Sequence, residues 1–190
     1  MREEAEKKAE AACSEAVKKS EETRRQMNSR IEKLQKDIAQ QEQRLQNLGL
    51  FKVGEKNQTR QEVARLNQEL GQARQELNSF LQKLEKELRD IRERCLKDVV
   101  EKVRSAAYGY LFDRNLSQKE QTAVFSILQA MSGTPRSRND LTDEFYRSYA
   151  YGDISRLSLG MAFMNPFVQN GSLKRIRADG TTETLTGYYL

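Results

Sequence analysis

The chain has 190 residues and a formal net charge of +5; 32% of it is charged and only 37% is hydrophobic. That is too polar for one globular core of this length and suits a long solvated helix joined to a small domain. No apolar run approaches the roughly 18 residues of a membrane span, His is absent, and two cysteines are too few for a zinc cluster, which argues against membrane, metal-centred and His-dependent catalytic functions.

The chain opens Met-Arg-Glu-Glu-Ala-Glu-Lys-Lys without an apolar stretch for export, so a cytoplasmic protein is the expectation. From Met1 to about Leu48, and again from about Arg60 to Ser105, there is no proline, and strong helix formers dominate. Met27, Ile31, Leu34, Ile38, Leu45 and Leu48 follow steps of four and three, with Gln41 filling one seam position. Val63, Leu66, Leu70, Ala73, Leu77, Phe80 and Leu84 repeat the pattern. Heptads sustained in this way predict coiled-coil helices. Gly49, Gly54 and Asn57 interrupt both the composition and the seam between them, and folding back near residue 54 sets seam against seam, Cys13 facing Cys95 among the pairs. An antiparallel hairpin follows, with the two thiols acting as small buried hydrophobes. Residues 1–20 offer only a thin apolar stripe of Ala9, Ala12, Cys13, Ala16 and Val17, which predicts fraying or a need for a partner. The paired helices carry 22 basic against 19 acidic residues through position 100, the balance of a solvated, ion-paired surface.

After Ser105 the texture changes. Tyr108, Tyr110, Leu111 and Phe112 mark a join, and Ser117-Gln118-Lys119-Glu120 is a capping box opening a helix with Val124, Phe125, Ile127, Leu128 and Met131 on one face. A second helix is predicted from about Asp140 to Ser148, with Leu141, Phe145 and Tyr149 inward. Gly152-Asp153 then turns into a third, roughly Ile154 to Met164. Ser172 to Arg177 reads as a strand, Asp179-Gly180 as a hairpin turn, and Glu183 to Leu190 as the return strand.

Three helices followed by a two-stranded hairpin, with Phe167-Val168-Gln169-Asn170-Gly171-Ser172-Leu173-Lys174-Arg175 and the ending Gly187-Tyr188-Tyr189-Leu190, resemble the winged helix-turn-helix domains of bacterial transcriptional regulators. The resemblance covers about residues 115–190. It implies that the third helix is a recognition helix and the hairpin a wing. Arg156 would then meet a guanine or a phosphate, Ser155 and Ser158 the DNA backbone, and Lys174, Arg175 and Arg177 phosphates. Laying the family's buried positions on Gly160, Phe163, Met164 and Phe167 turns Leu159 and Ala162 outward. That apolar face, on a domain with 11 basic and 9 acidic residues in positions 101–190, fits a protein-binding winged helix instead.

The expected fold is therefore mostly α. A long antiparallel coiled-coil hairpin fills residues 1–106, turning near 49–58, and a junction at 107–116 leads to a small α+β winged-helix domain at 117–190. The expected function is non-enzymatic DNA binding, as a regulator or nucleoid-type protein, with self-association through the coiled coil. The alternative is a structural adaptor whose winged helix binds another protein. No catalytic residue, cofactor or metal ligand is expected, because no phosphate loop, paired nucleophile and base, or ligand spacing is present.

Overall fold

The computed structural model describes residues 2–48, 52–112, 114–148 and 156–190, the side chains of 146–148 and 156–159 excepted. The elements are α1 (Arg2–Asn47), α2 (Val53–Phe112), α3 (Gln118–Ala130), α4 (Arg138–Ser148), α5 (Arg156–Phe163), β1 (Gln169–Ile176) and β2 (Thr182–Tyr189). They form two compact units, Glu15–Glu87 and Met1–Ser14 with Leu88–Leu190. Residues 1–14 thus belong with the C-terminal elements, although composition alone drew the division at 107–116.

In the first unit the two long helices run in opposite directions and pack on each other. Leu34 and Ile38 of α1 join Leu66, Leu70 and Ala73 of α2 in one buried cluster, with Ile31 at its edge. These are positions of the four-and-three pattern, so local periodicity and tertiary burial agree. Arg30 Nη1 crosses to Glu76 Oε2 at 2.9 Å, but both side chains are more than half exposed, so the pair contributes little beyond orientation. α2 begins earlier than expected, at Val53. Gly54 and Asn57 lie inside α2, and Lys56 N–H already donates to Lys52 O at 3.0 Å. Glycine is tolerated there because the first turn of a helix has no intrahelical N–H bonds to weaken, and Glu55 faces the positive end of the helix dipole. Gly49 lies outside the described residues.

The second unit is built around the capped helix α3. Ser117 and Glu120 form the capping box: Ser117 N–H donates to Glu120 Oε2 at 2.9 Å, and Glu120 N–H to Ser117 Oγ at 3.4 Å. At the other end Arg104 of α2 donates to the carbonyls of Leu128 and Met131, which have no intrahelical partner. Ala123, Val124, Ile127 and Leu128 of α3 are buried with Leu96, Val100, Ala107 and Leu111 of α2, Leu141 and Phe145 of α4, and Ala162 and Phe163 of α5. Met131 leaves the helix, and Ser132 to Arg136 lead to α4. The inward Tyr149 and the Gly152-Asp153 turn lie outside the described residues.

β1 and β2 pair antiparallel from Gln169↔Tyr189 to Ile176↔Thr182. The turn closes as its chemistry predicts: Asp179 Oδ1 accepts from Thr181 N–H at 2.9 Å, and Gly180 supplies a φ of 83°. A feature invisible in the sequence pattern is a third edge. Arg136, between α3 and α4, forms an isolated bridge with Tyr188, with hydrogen bonds of 3.1 and 2.8 Å. Gly187 makes that approach possible. Its φ is 153°, and a Cβ there would collide with the Arg136 carbonyl. The hairpin is thereby stitched to the α3–α4 connection, and Leu190 N–H extends the seam to Ser132 O at 2.9 Å.

The start of α1 does not lie open. Ala9 and Cys13 are fully buried, and Cys13 Sγ donates to Leu88 O at 3.6 Å. The stripe that predicted fraying is covered at Ala9 and Cys13, and Glu6 and Glu10 beside it are bound to Arg175 and Ile176 of β1. Both cysteines are free, Cys13 buried and Cys95 half-buried, and burial pushes the Cys13 thiol above its ordinary pKa.

Candidate nucleic-acid interface

A β-hairpin presents alternate residues to opposite faces, and here the two faces have opposite environments. Ser172, Lys174, Thr184 and Thr186 are exposed together, with Lys174 opposite Thr184 in the register. Ser172 and Thr186, also directly opposite, share a hydroxyl hydrogen bond of 2.7 Å. Lys174 has no ion pair among the described residues. Arg177, just past β1, is half exposed, and its Nε lies 4.0 Å from Glu183 Oε2. Lys174 and Arg177 are thus the two hairpin cations placed where a phosphate can reach them.

Arg175 is not. It sits on the other face at 2% exposure, and there the structure corrects the expectation of a free wing cation. Its Nη1 reaches Glu6 Oε2 at 2.6 Å and Glu10 Oε1 at 3.4 Å, and its Nη2 reaches Glu6 Oε1 at 3.3 Å. Arg92 completes the cluster: its Nε donates to Glu10 Oε1 at 2.8 Å and its Nη2 to Ile176 O at 2.6 Å. Glu10 Oε2 in turn accepts from Ile176 N–H at 3.1 Å. Taking these ions out of water costs several kcal/mol each by order of magnitude, so they persist only because each meets its opposite. Arg175 Nε is the one group of the cluster buried without a partner. The cluster fixes β1 to α1 and α2 and holds the Arg175 guanidinium away from solvent.

α5 also differs from its expected phase. Ala162, expected outward, is fully buried, while Met164, expected inward, is 74% exposed. The helix ends at Phe163, where the chain tightens: Met164 N–H donates to Gly160 O at 2.9 Å, but Asn165 N–H turns back to Ala162 O at 3.4 Å. Asn165, 3% exposed, then anchors the next turn by accepting from Phe167 N–H through Oδ1 at 3.0 Å. Helical spacing carried past Phe163 therefore points Met164 the wrong way. Ser155 and the side chains of Arg156, Ser158 and Leu159 lie outside the described residues.

Sequence reasoning passed over a partly exposed aromatic group around the end of α2. Tyr108 meets Phe125 edge-on at 4.8 Å, Tyr110 meets Phe167 at 6.1 Å, and the Arg114 guanidinium lies 4.4 Å above the Tyr110 ring. Phe112 next to them is 73% exposed. The signal was present as four large apolar residues in five positions, which read as a join rather than a surface. Burial holds the Tyr108 hydroxyl above its usual pKa.

Among the described residues no three His, Cys, Asp or Glu side chains lie together in a way fit to hold a metal ion, and no helix is long and apolar enough to cross a membrane. Compared with models of protein families, with curated proteins and with solved structures, the chain matches none.

Proposed function

We propose that residues 117–190 form a winged helix that binds duplex DNA without catalysing a reaction, and that the paired helices before it act as a coiled coil through which the protein self-associates in the cytoplasm. The observation that carries this reading is the Arg136–Tyr188 bridge. It makes one body of α3, α4 and the hairpin, and α3 packs on α5, so helix and wing are held for joint presentation to a duplex. Lys174 and Arg177 supply the exposed cations of the wing, with Ser172, Thr184 and Thr186 as hydroxyl donors to phosphate oxygens beside Lys174. Arg156, Ser155 and Ser158 would meet the DNA from the α5 side, as the resemblance implies. Arg175 has no part in the contact.

Fluorescence anisotropy of a mixed-sequence duplex across a salt series tests this. Affinity should fall with salt, and Lys174→Ala with Arg177→Ala should remove about 0.9 from the log–log slope for each phosphate no longer neutralised. No binding at low salt would overturn the reading. A second reading, protein binding by this domain together with the end of α2, is favoured by the 74% exposure of Met164 and the 73% exposure of Phe112, two large apolar side chains left in water. Ala162 is no longer available to it.

A further inference from the structure

In the unit Glu15–Glu87 the apolar seam is unevenly covered. Val17 and Leu84 are buried toward one end and Leu34 and Ala73 toward the other, but between them Met27, Ile31, Leu77, Phe80 and Leu81 are all only half-buried. Phe80 and Lys83 line two adjoining grooves, one shared with Met27 and Glu76, the other with Ala16 and Leu84. Two helices can turn only one stripe each toward the other, so an aromatic ring at the edge of the seam stays partly wet until a third surface arrives.

We infer that this face is the contact between two copies of the chain, related by a two-fold axis passing beside Phe80; the inference rests on the proposed self-association and names its surface. The charges select a second copy as the occupant. On α2, Glu76 lies one turn before Phe80 and Lys83 one turn after it, while Gln72, Gln75 and Ser79 along the groove are neutral. A two-fold axis perpendicular to α2 reverses the partner's helix, bringing Glu76 of each copy beside Lys83 of the other and Phe80 beside Phe80. A parallel arrangement would set like charge on like. Lys83 has no ion pair among the described residues, and Glu76, tied only to the exposed Arg30, can accept a second donor. A groove bearing both signs suits neither a phosphate backbone nor an anionic membrane.

Sedimentation of the full chain over a concentration series tests the interface, with Phe80→Glu, Glu76→Lys, Lys83→Glu and the double variant Glu76→Lys/Lys83→Glu. The wild type should form a dimer, and each single variant should weaken it by roughly tenfold or more. The double variant, with its charges exchanged, should recover it. Because the double variant carries both substitutions, its recovery separates a broken interface from a broken fold. A chain that stays monomeric at every concentration overturns self-association itself. A dimer indifferent to all four variants leaves self-association standing and overturns this surface. Single variants that dissociate without rescue in the double variant overturn the two-fold pairing.

Discussion

Arg175 of the hairpin and Glu6 of the first helix, 169 positions apart, form a buried two-point ion pair, with distances of 2.6 and 3.3 Å. The cation that the sequence offered to DNA is thus a fastener between the beginning and the end of the chain. Truncating one member leaves the other charged in a desolvated site, so Arg175→Ala should cost about 3 kcal/mol of stability. Urea denaturation reads that loss. If the domain binds DNA as proposed, duplex affinity measured on the folded fraction should be unchanged, in contrast to Lys174→Ala; a fall in affinity equal to that of Lys174→Ala would return Arg175 to the proposed contact.

Two glycines should respond in opposite senses. Gly187→Ala adds a Cβ against the Arg136 carbonyl at a φ of 153°, and should cost at least about 2 kcal/mol and speed amide exchange at Tyr188. Gly71→Ala, in the middle of α2 with nothing within 4 Å of the new methyl, should stabilise by about 0.5–1 kcal/mol through helix propensity and a less flexible unfolded chain. Equal effects of the two would mean that Gly187 is not what admits the Arg136–Tyr188 bridge.

The capping box carries a pH signature. Hydrogen bonds from the Ser117 side chain and backbone hold the Glu120 carboxyl below its ordinary pKa. A carboxylate depressed in the folded state contributes stability above its unfolded pKa and loses it as pH falls through the folded one. NMR titration should show Glu120 moving up toward the ordinary glutamate range in Ser117→Ala, with the acid-side fall in stability becoming shallower. An unmoved titration would mean the cap is not formed in solution.

The two thiols should be kinetically distinct. Cys13 is buried, and its raised pKa leaves little thiolate near neutral pH. A thiol reagent should therefore modify half-buried Cys95 first, and Cys13 only on unfolding. Simultaneous modification would show that the first turns of α1 open readily.

Local chemistry was legible throughout. Ser117 with Glu120 announced a helix start, Asp179-Gly180 announced a turn, and the four-and-three spacing of Leu34, Ile38, Leu66 and Leu70 announced two long helices, because each signal depends on residues within one or two turns of each other. The same locality limited the rest. Alternation along β1 set Lys174 and Arg175 on opposite faces, but which face met water was decided by Glu6, Glu10 and Arg92 on remote helices. The end of α5 at Phe163 was set by Asn165 turning the chain, which left Met164 in water, while Ala162 inside the helix was buried by the core that gathers around α3. The start of α1 read as a fraying end, since its covering partners lie beyond residue 87. Propensity, capping and periodicity, all written along the chain, were enough to set the long helices, the capped start of α3 and the Asp179-Gly180 turn. Which charges were buried and which apolar side chains stayed in water depended on the assembled fold, because burial is a property of what arrives from elsewhere in the chain.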